Sequence, residues 1–205
     1  MKGLLTVSLA LAGWVSLGFG GEMQSAKVSQ PLATPTIASV MDSQLTLLEG
    51  QIVPAAEAMP DDKYSFAPAG SGFDGVRTFA LEVKHVATAN IGFYSAILGQ
   101  EPPAGVSLRG LTNGPDSIQT KDQILKYLKD SFALGHKALA TLTMQNAVSP
   151  LANSPIPFMK TRLDLATFSL AHAADHYGQM AEYLRMNGIT PPASSGQPPA
   201  NPSKP

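Results

Sequence analysis

The chain has 205 residues, no cysteine, 14% charged residues and a formal net charge of -1. The lack of cysteine excludes disulfides, iron–sulfur clusters and cysteine nucleophiles, so any metal must be held by nitrogen and oxygen ligands. Because the charge is balanced and offers no basic surface for phosphates, nucleic acid is not an expected partner. Hydrophobic residues make up 44% of the chain, which is enough for the core of one ordinary domain.

The first 21 residues have the features of a secretory signal peptide. Lys2 precedes a stretch without ionisable groups, 3–21, in which Gly18 and Gly20 have a spacing typical of a cleavage site. This pattern predicts an exported protein, periplasmic or extracellular, that is no longer inserted in a membrane once the segment is removed. The alternative is a retained anchor, because an uncharged stretch of this length just spans a hydrocarbon layer of about 30 Å.

Two segments of low complexity flank the central part of the chain. Residues 22–38 contain two prolines, Pro31 and Pro35, and no apolar period, which predicts a linker. Residues 191–205 are rich in proline and serine and are predicted to be disordered. The folded domain is therefore expected over residues 39–190, a common size for a single domain.

Four stretches of this domain have helical spacing of apolar residues and none has strand alternation, so the predicted fold class is all-α. Helix one is expected from about Ser39 to Met59, where Pro60 ends it. Helix two is expected from about Phe73 to Leu98. The core-facing positions of helix one are Leu45, Leu48, Ile52 and Ala56.

The last two helices have recognisable first turns. Thr120 and Gln123 form a capping-box pattern at the start of helix three, and Thr161 with Asp164 forms a similar one at the start of helix four, which is expected to end at Asn187. The core-facing positions of helix three are Ile124, Leu128, Phe132 and Leu139.

The connection between helices two and three is long for a helical bundle. Residues 99–118 have no regular pattern, and an extended chain of that length can travel the whole length of a neighbouring helix. Helices two and three can then run parallel, which predicts a four-helix bundle of up-down-down-up topology.

Two histidines on helix four have the spacing of a metal-binding pair. His172 and His176 are one helical turn apart, so both imidazoles lie on one face and can reach the same ion. The stripe that carries them faces inward and consists of Leu165, Phe168, His172, His176, Gln179 and Tyr183. Neutral buried imidazoles need partners for their ring nitrogens, and a metal ion supplies one for each ring.

A third ligand is available on helix two. His85 lies at the midpoint of that helix and the His172 and His176 pair lies around the midpoint of helix four, so the three residues share one height whichever way the helices run. Ala89 and Gly92 continue the row of His85, and such small residues are expected to leave space beside the metal. Ala89, Gly92, Gln179 and Tyr183 are therefore the predicted substrate contacts.

Three other polar residues near these positions can be explained without a role as metal ligands. His136, between Phe132 and Leu139, is expected to be a packing or interface residue rather than a ligand. Asp175 is expected to be a surface carboxylate. Glu82 is one turn before His85, and the sequence leaves open whether it accepts a hydrogen bond from an imidazole or is a surface charge.

The sequence resembles the DinB-like, or DinB/YfiT, superfamily over about Asp42 to Pro192. The resemblance is carried by KHVATANIGFYSAILG in the second helix, AHAADHYGQMAEYLRMNGITPP in the fourth and AAEAMPDDKYSF at the end of the first. It implies an up-down-down-up bundle with a divalent cation, zinc or nickel, held by three histidines, which map to His85, His172 and His176.

Two classes of function are compatible with such a site. With open positions beside the ion, the protein is a metal-dependent hydrolase or transferase acting on an unidentified small molecule. With a closed coordination shell, it is a non-catalytic bundle that binds metal or a partner. A third alternative is a purely structural bundle that binds no metal. The sequence identifies no catalytic residue beyond the ligands, and it is compatible with a homodimer.

Overall fold

The computed structural model describes residues 34–108 and 113–196, and in this part of the chain it contains four long helices and no strand. Helix α1 spans Ile37–Ala58, α2 spans Phe79–Leu98, α3 spans Lys121–Leu139 and α4 spans Arg162–Met186. The predicted all-α four-helix class is confirmed. The predicted signal peptide lies outside the described residues, as do most of the predicted linker and the last nine residues of the predicted tail.

The capping boxes predicted for α3 and α4 are present. The Thr120 hydroxyl accepts from Gln123 N at 3.3 Å, and the Gln123 side chain accepts from Thr120 N at 3.1 Å. Thr161 and Asp164 make the same reciprocal pair at 3.1 and 2.9 Å. Each pair satisfies two backbone N–H groups that the first helical turn leaves without a partner, which fixes where the helix starts.

Helix α2 starts six residues later than the sequence predicts. Gly72 and Gly75 adopt φ angles of +92° and +81°, which a right-handed helix does not contain. Thr78 is the N-cap, and its hydroxyl accepts from Leu81 N at 3.3 Å. The expected start at Phe73 is therefore wrong, because the apolar residues before Thr78 belong to glycine-rich turns and Phe73 is exposed.

Contacts between α2 and α3 occur in parallel order along the two helices. The Thr88 hydroxyl lies 3.1 Å from the Tyr127 hydroxyl, and further along both helices Asn90 Nδ2 donates to Ser131 Oγ at 3.3 Å. Since the residue numbers rise together, α2 and α3 run in the same direction. The long connection between them is what this parallel arrangement requires.

The α1–α3 contacts have the opposite order. Lys129 Nζ lies 2.7 Å from Glu57 Oε1 near the end of α1, whereas His136 Nδ1 lies 2.6 Å from Asp42 Oδ1 near its beginning. Residue numbers fall on one helix as they rise on the other, so these two helices are antiparallel.

Helices α2 and α4 are antiparallel as well. Tyr94 accepts a hydrogen bond from Ser169 at 3.2 Å, and the carbonyl of Ile97 accepts from Arg162 Nε at 3.2 Å. In chain order the helices therefore run up, down, down and up. Around the bundle each helix packs against two others, in the order α1, α3, α2 and α4.

The core lies between the four helices and contains the apolar stripes predicted from the sequence. All eight core-facing positions predicted on α1 and α3 are buried. The first residues of the predicted disordered tail are ordered instead, since Pro192–Ser194 form a short 3-10 turn that packs against α1. Within the described residues, none of the helices combines the length and the apolar character needed to cross a membrane.

Candidate metal centre

Three imidazoles from two helices converge at mid-height of the bundle. His85 is the seventh of the 20 residues of α2, and His172 and His176 come from successive turns at the middle of α4. The His85 ring centroid lies 5.1 Å from that of His172 and 4.5 Å from that of His176. The three rings meet as the comparison of helix midpoints predicts, although the late start of α2 moves its midpoint by about three residues.

The spacing of the ring nitrogens fits a single divalent cation. His172 Nε2 lies 3.2 Å from His85 Nε2 and 3.2 Å from His176 Nε2. Two nitrogens bound to zinc at about 2.0 to 2.1 Å in a tetrahedral arrangement are about 3.3 to 3.4 Å apart. The three histidines thus form a donor set that could bind a metal ion, with one nitrogen from each ring.

Glu82 fixes the ring of His176. The carboxylate is 1% exposed and its Oε1 accepts a hydrogen bond from His176 Nδ1. Because an ionised carboxylate only accepts, this contact assigns the hydrogen to Nδ1 and leaves a lone pair on Nε2, directed at the other two rings. Of the two roles that the sequence left open for Glu82, the structure shows the acceptor of an imidazole N–H.

The environment of His172 favours its neutral form. Burial lowers its pKa to about 3, with further contributions from the neighbouring His176 and His85 and from the charge of Arg77. Its buried Nδ1 has no hydrogen-bond partner among the residues that the structure describes. A neutral ring whose Nε2 faces the other two imidazoles is available as a ligand through that nitrogen.

Aromatic rings line the side of the site near His172. Phe93 and Phe168 contact its imidazole with ring centroids at 5.5 and 6.0 Å, and Phe158 contacts Phe168 at 6.4 Å. Phe158 is largely exposed, whereas Phe93 is buried. A row of apolar rings therefore leads from the surface of the bundle to one of the three imidazoles.

Arg77 and Tyr183 lie at the opposite end of the site, and Arg77 is not among the predicted site residues. The Tyr183 hydroxyl donates to the Arg77 carbonyl at 3.2 Å, and Arg77 Nε donates to Asn113 Oδ1 at 2.8 Å. Burial raises the pKa of Tyr183, as does the charge of Glu82, whereas Arg77 opposes the increase. No motif indicates Arg77, because its place depends on the α2–α3 connection, which carries Asn113.

The four predicted substrate contacts have different surroundings. Gln179 is exposed and donates to Asp175 Oδ2 at 3.0 Å, next to His176, and Tyr183 is engaged with Arg77. Ala89 is buried one turn after His85. The role of all four in substrate binding stays a prediction.

The space next to Gly92 is not empty at the helix surface. A Cβ atom at this position would lie 2.3 Å from Leu108 Cδ1, so the glycine allows the α2–α3 connection to pack closely against α2. Toward the C-terminal end of α2, Gly92 and Ala96 line a cavity of about 670 Å³, together with Arg162 and parts of the α2–α3 and α3–α4 connections.

The structure places His136 and Asp175 outside the histidine cluster. His136 lies between α1 and α3, where Nδ1 contacts Asp42 and Nε2 contacts Glu49 at 3.0 Å. Asp175 is exposed on α4. Both residues are thus placed as the sequence predicts: His136 is an interface histidine and Asp175 is a surface carboxylate.

Comparison with known families agrees with the resemblance found in the sequence. The sequence model of the DinB superfamily matches residues 44–180, which make up two thirds of the chain and include all three histidines. No curated protein matches the chain significantly.

Proposed function

The chain belongs to the DinB superfamily, and from this membership and the converging imidazoles we propose that it is an exported metal-dependent hydrolase or transferase of a small molecule. The observation that carries the proposal is the approach of three Nε2 atoms to one point, with both measured separations at 3.2 Å. Three lone pairs directed at one another repel unless a cation lies between them, and a neutral three-histidine set leaves the full charge of that cation available.

His85, His172 and His176 would hold the cation, and Glu82 holds the His176 ring in the orientation and tautomer that ligation needs. Nitrogen donors of this kind suit zinc and nickel, the two metals we propose. When bound, such a cation supplies Lewis acidity, which lowers the pKa of a water or thiol at the site and polarises a carbonyl group.

The surrounding residues provide an asymmetric site for a substrate. His85 and His176 are buried, whereas His172 is half-buried and reached through the aromatic rings of Phe93 and Phe168. These rings exclude water on one side and offer apolar contact to a substrate. We assign no catalytic residue.

Metal analysis of the untagged protein tests the metal site. We expect about one zinc or nickel ion per chain in the wild type and loss of that ion in His172→Ala, because only two ligands remain. His136→Ala is the matched control, since this half-buried histidine lies outside the cluster. Equal metal content in the wild type and His172→Ala would refute the site.

Turnover separates the enzyme from the alternative of a non-catalytic metal-binding bundle. We expect the metal-loaded wild type to cleave or transfer a group from at least one member of a panel of small esters, amides and activated thiol acceptors. The activity should disappear with a chelator and return with the metal. A fully loaded protein without any turnover would favour metal binding without catalysis.

Export is tested by the mature protein itself. Trp14 is the single tryptophan of the chain and lies in the predicted signal peptide, so the exported protein should show tyrosine emission only. Tryptophan emission from exported material would show that the segment is retained as an anchor. Size-exclusion chromatography of the same material tests whether the protein forms a homodimer, and we propose no binding to nucleic acid.

A further inference from the structure

We propose that Arg77 recognises a carboxylate group of the substrate bound beside the histidine cluster. This inference rests on the proposed function, since it names the chemical class of the substrate for that site. It makes the expected substrate a small molecule with one group directed at the metal position and a carboxylate directed at the start of α2.

The backbone of Arg77 is hydrogen-bonded to α4, the helix that carries His172 and His176. Arg77 directly precedes Thr78, the N-cap of α2, and its carbonyl accepts from the Tyr183 hydroxyl of α4 at 3.2 Å. Tyr183 lies two helical turns after His176 on the same inward-facing stripe. Arg77 is thus held at the end of the α2–α4 interface in which the imidazoles meet.

The side chain of Arg77 is oriented but not neutralised. Its Nε donates to Asn113 Oδ1 at 2.8 Å, which leaves the four N–H bonds of the two Nη atoms. None of these has an acceptor, and no carboxylate pairs with the guanidinium, among residues 34–108 and 113–196. A guanidinium that is fixed through Nε presents its remaining donors in a planar fork that matches the two oxygens of a carboxylate.

Glu82, the buried acid closest to Arg77 along the chain, is used elsewhere. Its carboxylate accepts from His176 Nδ1, so it serves the ligand shell rather than the arginine. The charge of Arg77 nevertheless acts on two side chains of the site, His172 and Tyr183. The guanidinium is therefore within electrostatic range of the position where a substrate would bind.

The charges of the site favour an anionic ligand. With three neutral imidazoles, a dication contributes +2, Glu82 contributes -1 and Arg77 contributes +1. A total of +2 on buried and half-buried side chains attracts anions and binds them more strongly than solvent-exposed charges would. A substrate with a carboxylate reduces this excess and satisfies the donors of Arg77 at the same time.

Calorimetric titration of the zinc-loaded mature protein tests the proposal with defined probes. The probes are succinate, glutarate and adipate, each compared with its monoamide, which has the same length but one carboxylate fewer. We expect at least one dicarboxylate to bind more tightly than its monoamide in the wild type. In Arg77→Met its affinity should fall by about 10-fold or more, the usual loss for a hydrogen bond to a charged group.

Three controls make the result specific to Arg77. The monoamide should lose less than about 2-fold in Arg77→Met, and Arg77→Lys, which keeps the charge but not the fork, should lie between wild type and Arg77→Met. Arg185→Met should bind like the wild type, because Arg185 is exposed on α4 and pairs with Glu182 at 3.3 Å. Thermal melts of all variants confirm that they are folded.

The possible failures are distinguishable because the zinc content is measured in every sample. Equal losses for dicarboxylate and monoamide, or no loss at all, in a zinc-loaded Arg77→Met would overturn the role of Arg77 and leave the metal site standing. A wild type that does not retain zinc or nickel would overturn the proposed function, and this inference with it.

Discussion

Replacing Glu82 by glutamine should weaken metal binding without unfolding the protein. The carboxylate is 1% exposed and accepts from Nδ1 of His176, so water cannot replace it and its charge supports the basicity of the ring. Glutamine keeps the shape and an acceptor oxygen but loses the charge, and charge-assisted hydrogen bonds are about twice as strong as neutral ones. Such partners of metal ligands contribute about 10- to 100-fold in metal affinity, or about 1.4 to 2.7 kcal/mol.

Competition with a zinc-binding indicator measures this effect directly. The zinc affinity of Glu82→Gln should be about 10- to 100-fold lower than that of the wild type. Glu49→Gln is the matched control, because Glu49 also contacts a histidine, His136, but outside the cluster. An affinity of Glu82→Gln within about 2-fold of the wild type, or an equal loss in Glu49→Gln, would contradict the assignment of Glu82 to the metal site.

Three further predictions concern stability. Burial opposes protonation of His136, but its hydrogen bonds to two carboxylates outweigh this and raise its pKa from 6.5. The folded state therefore binds the proton more tightly than the unfolded state. The resulting stabilisation is complete below pH 6.5 and is lost as the pH rises through the folded pKa. Melting temperatures should fall from about pH 6 to about pH 9 in the wild type and less in His136→Gln, and equal slopes would refute the link. Gly135→Ala should destabilise the bundle by about 1 to 3 kcal/mol in denaturant titrations, because its Cβ would lie 2.6 Å from a ring carbon of Tyr94. Gly178→Ala, whose Cβ meets nothing within 4 Å, should instead stabilise α4 by up to about 1 kcal/mol, and destabilisation there would contradict the packing.

The sequence was most informative where a property depends on spacing within one helix. The capping boxes at Thr120 and Thr161 and the pairing of His172 with His176 are local, and all three appear in the structure as predicted. The position of His85 required one further step, the comparison of helix midpoints. That step succeeded because the six-residue error in the start of α2 moves its midpoint by only about three residues, which is less than one helical turn.

Properties that depend on contacts between distant segments were not predictable in this way. The late start of α2 reflects glycine φ angles such as that of Gly75, and apolar periodicity does not report them. The space beside Gly92 is taken by Leu108, and the orientation of Arg77 depends on Asn113. Both partners come from the α2–α3 connection, whose path has no periodic signal in the sequence.

The order of the helices around the bundle has a consequence for how the chain folds. Each helix packs against two others, yet α1 and α2 are not among the extensive pairs, nor are α3 and α4. The four described helices thus form no helical hairpin, the unit from which simple bundles assemble early and locally. The contacts between helices join segments far apart in the chain or need the long α2–α3 connection, so folding should be slower than for an up-and-down bundle of equal size. His85 on α2 and the His172 and His176 pair on α4 should therefore meet only at a late stage of folding.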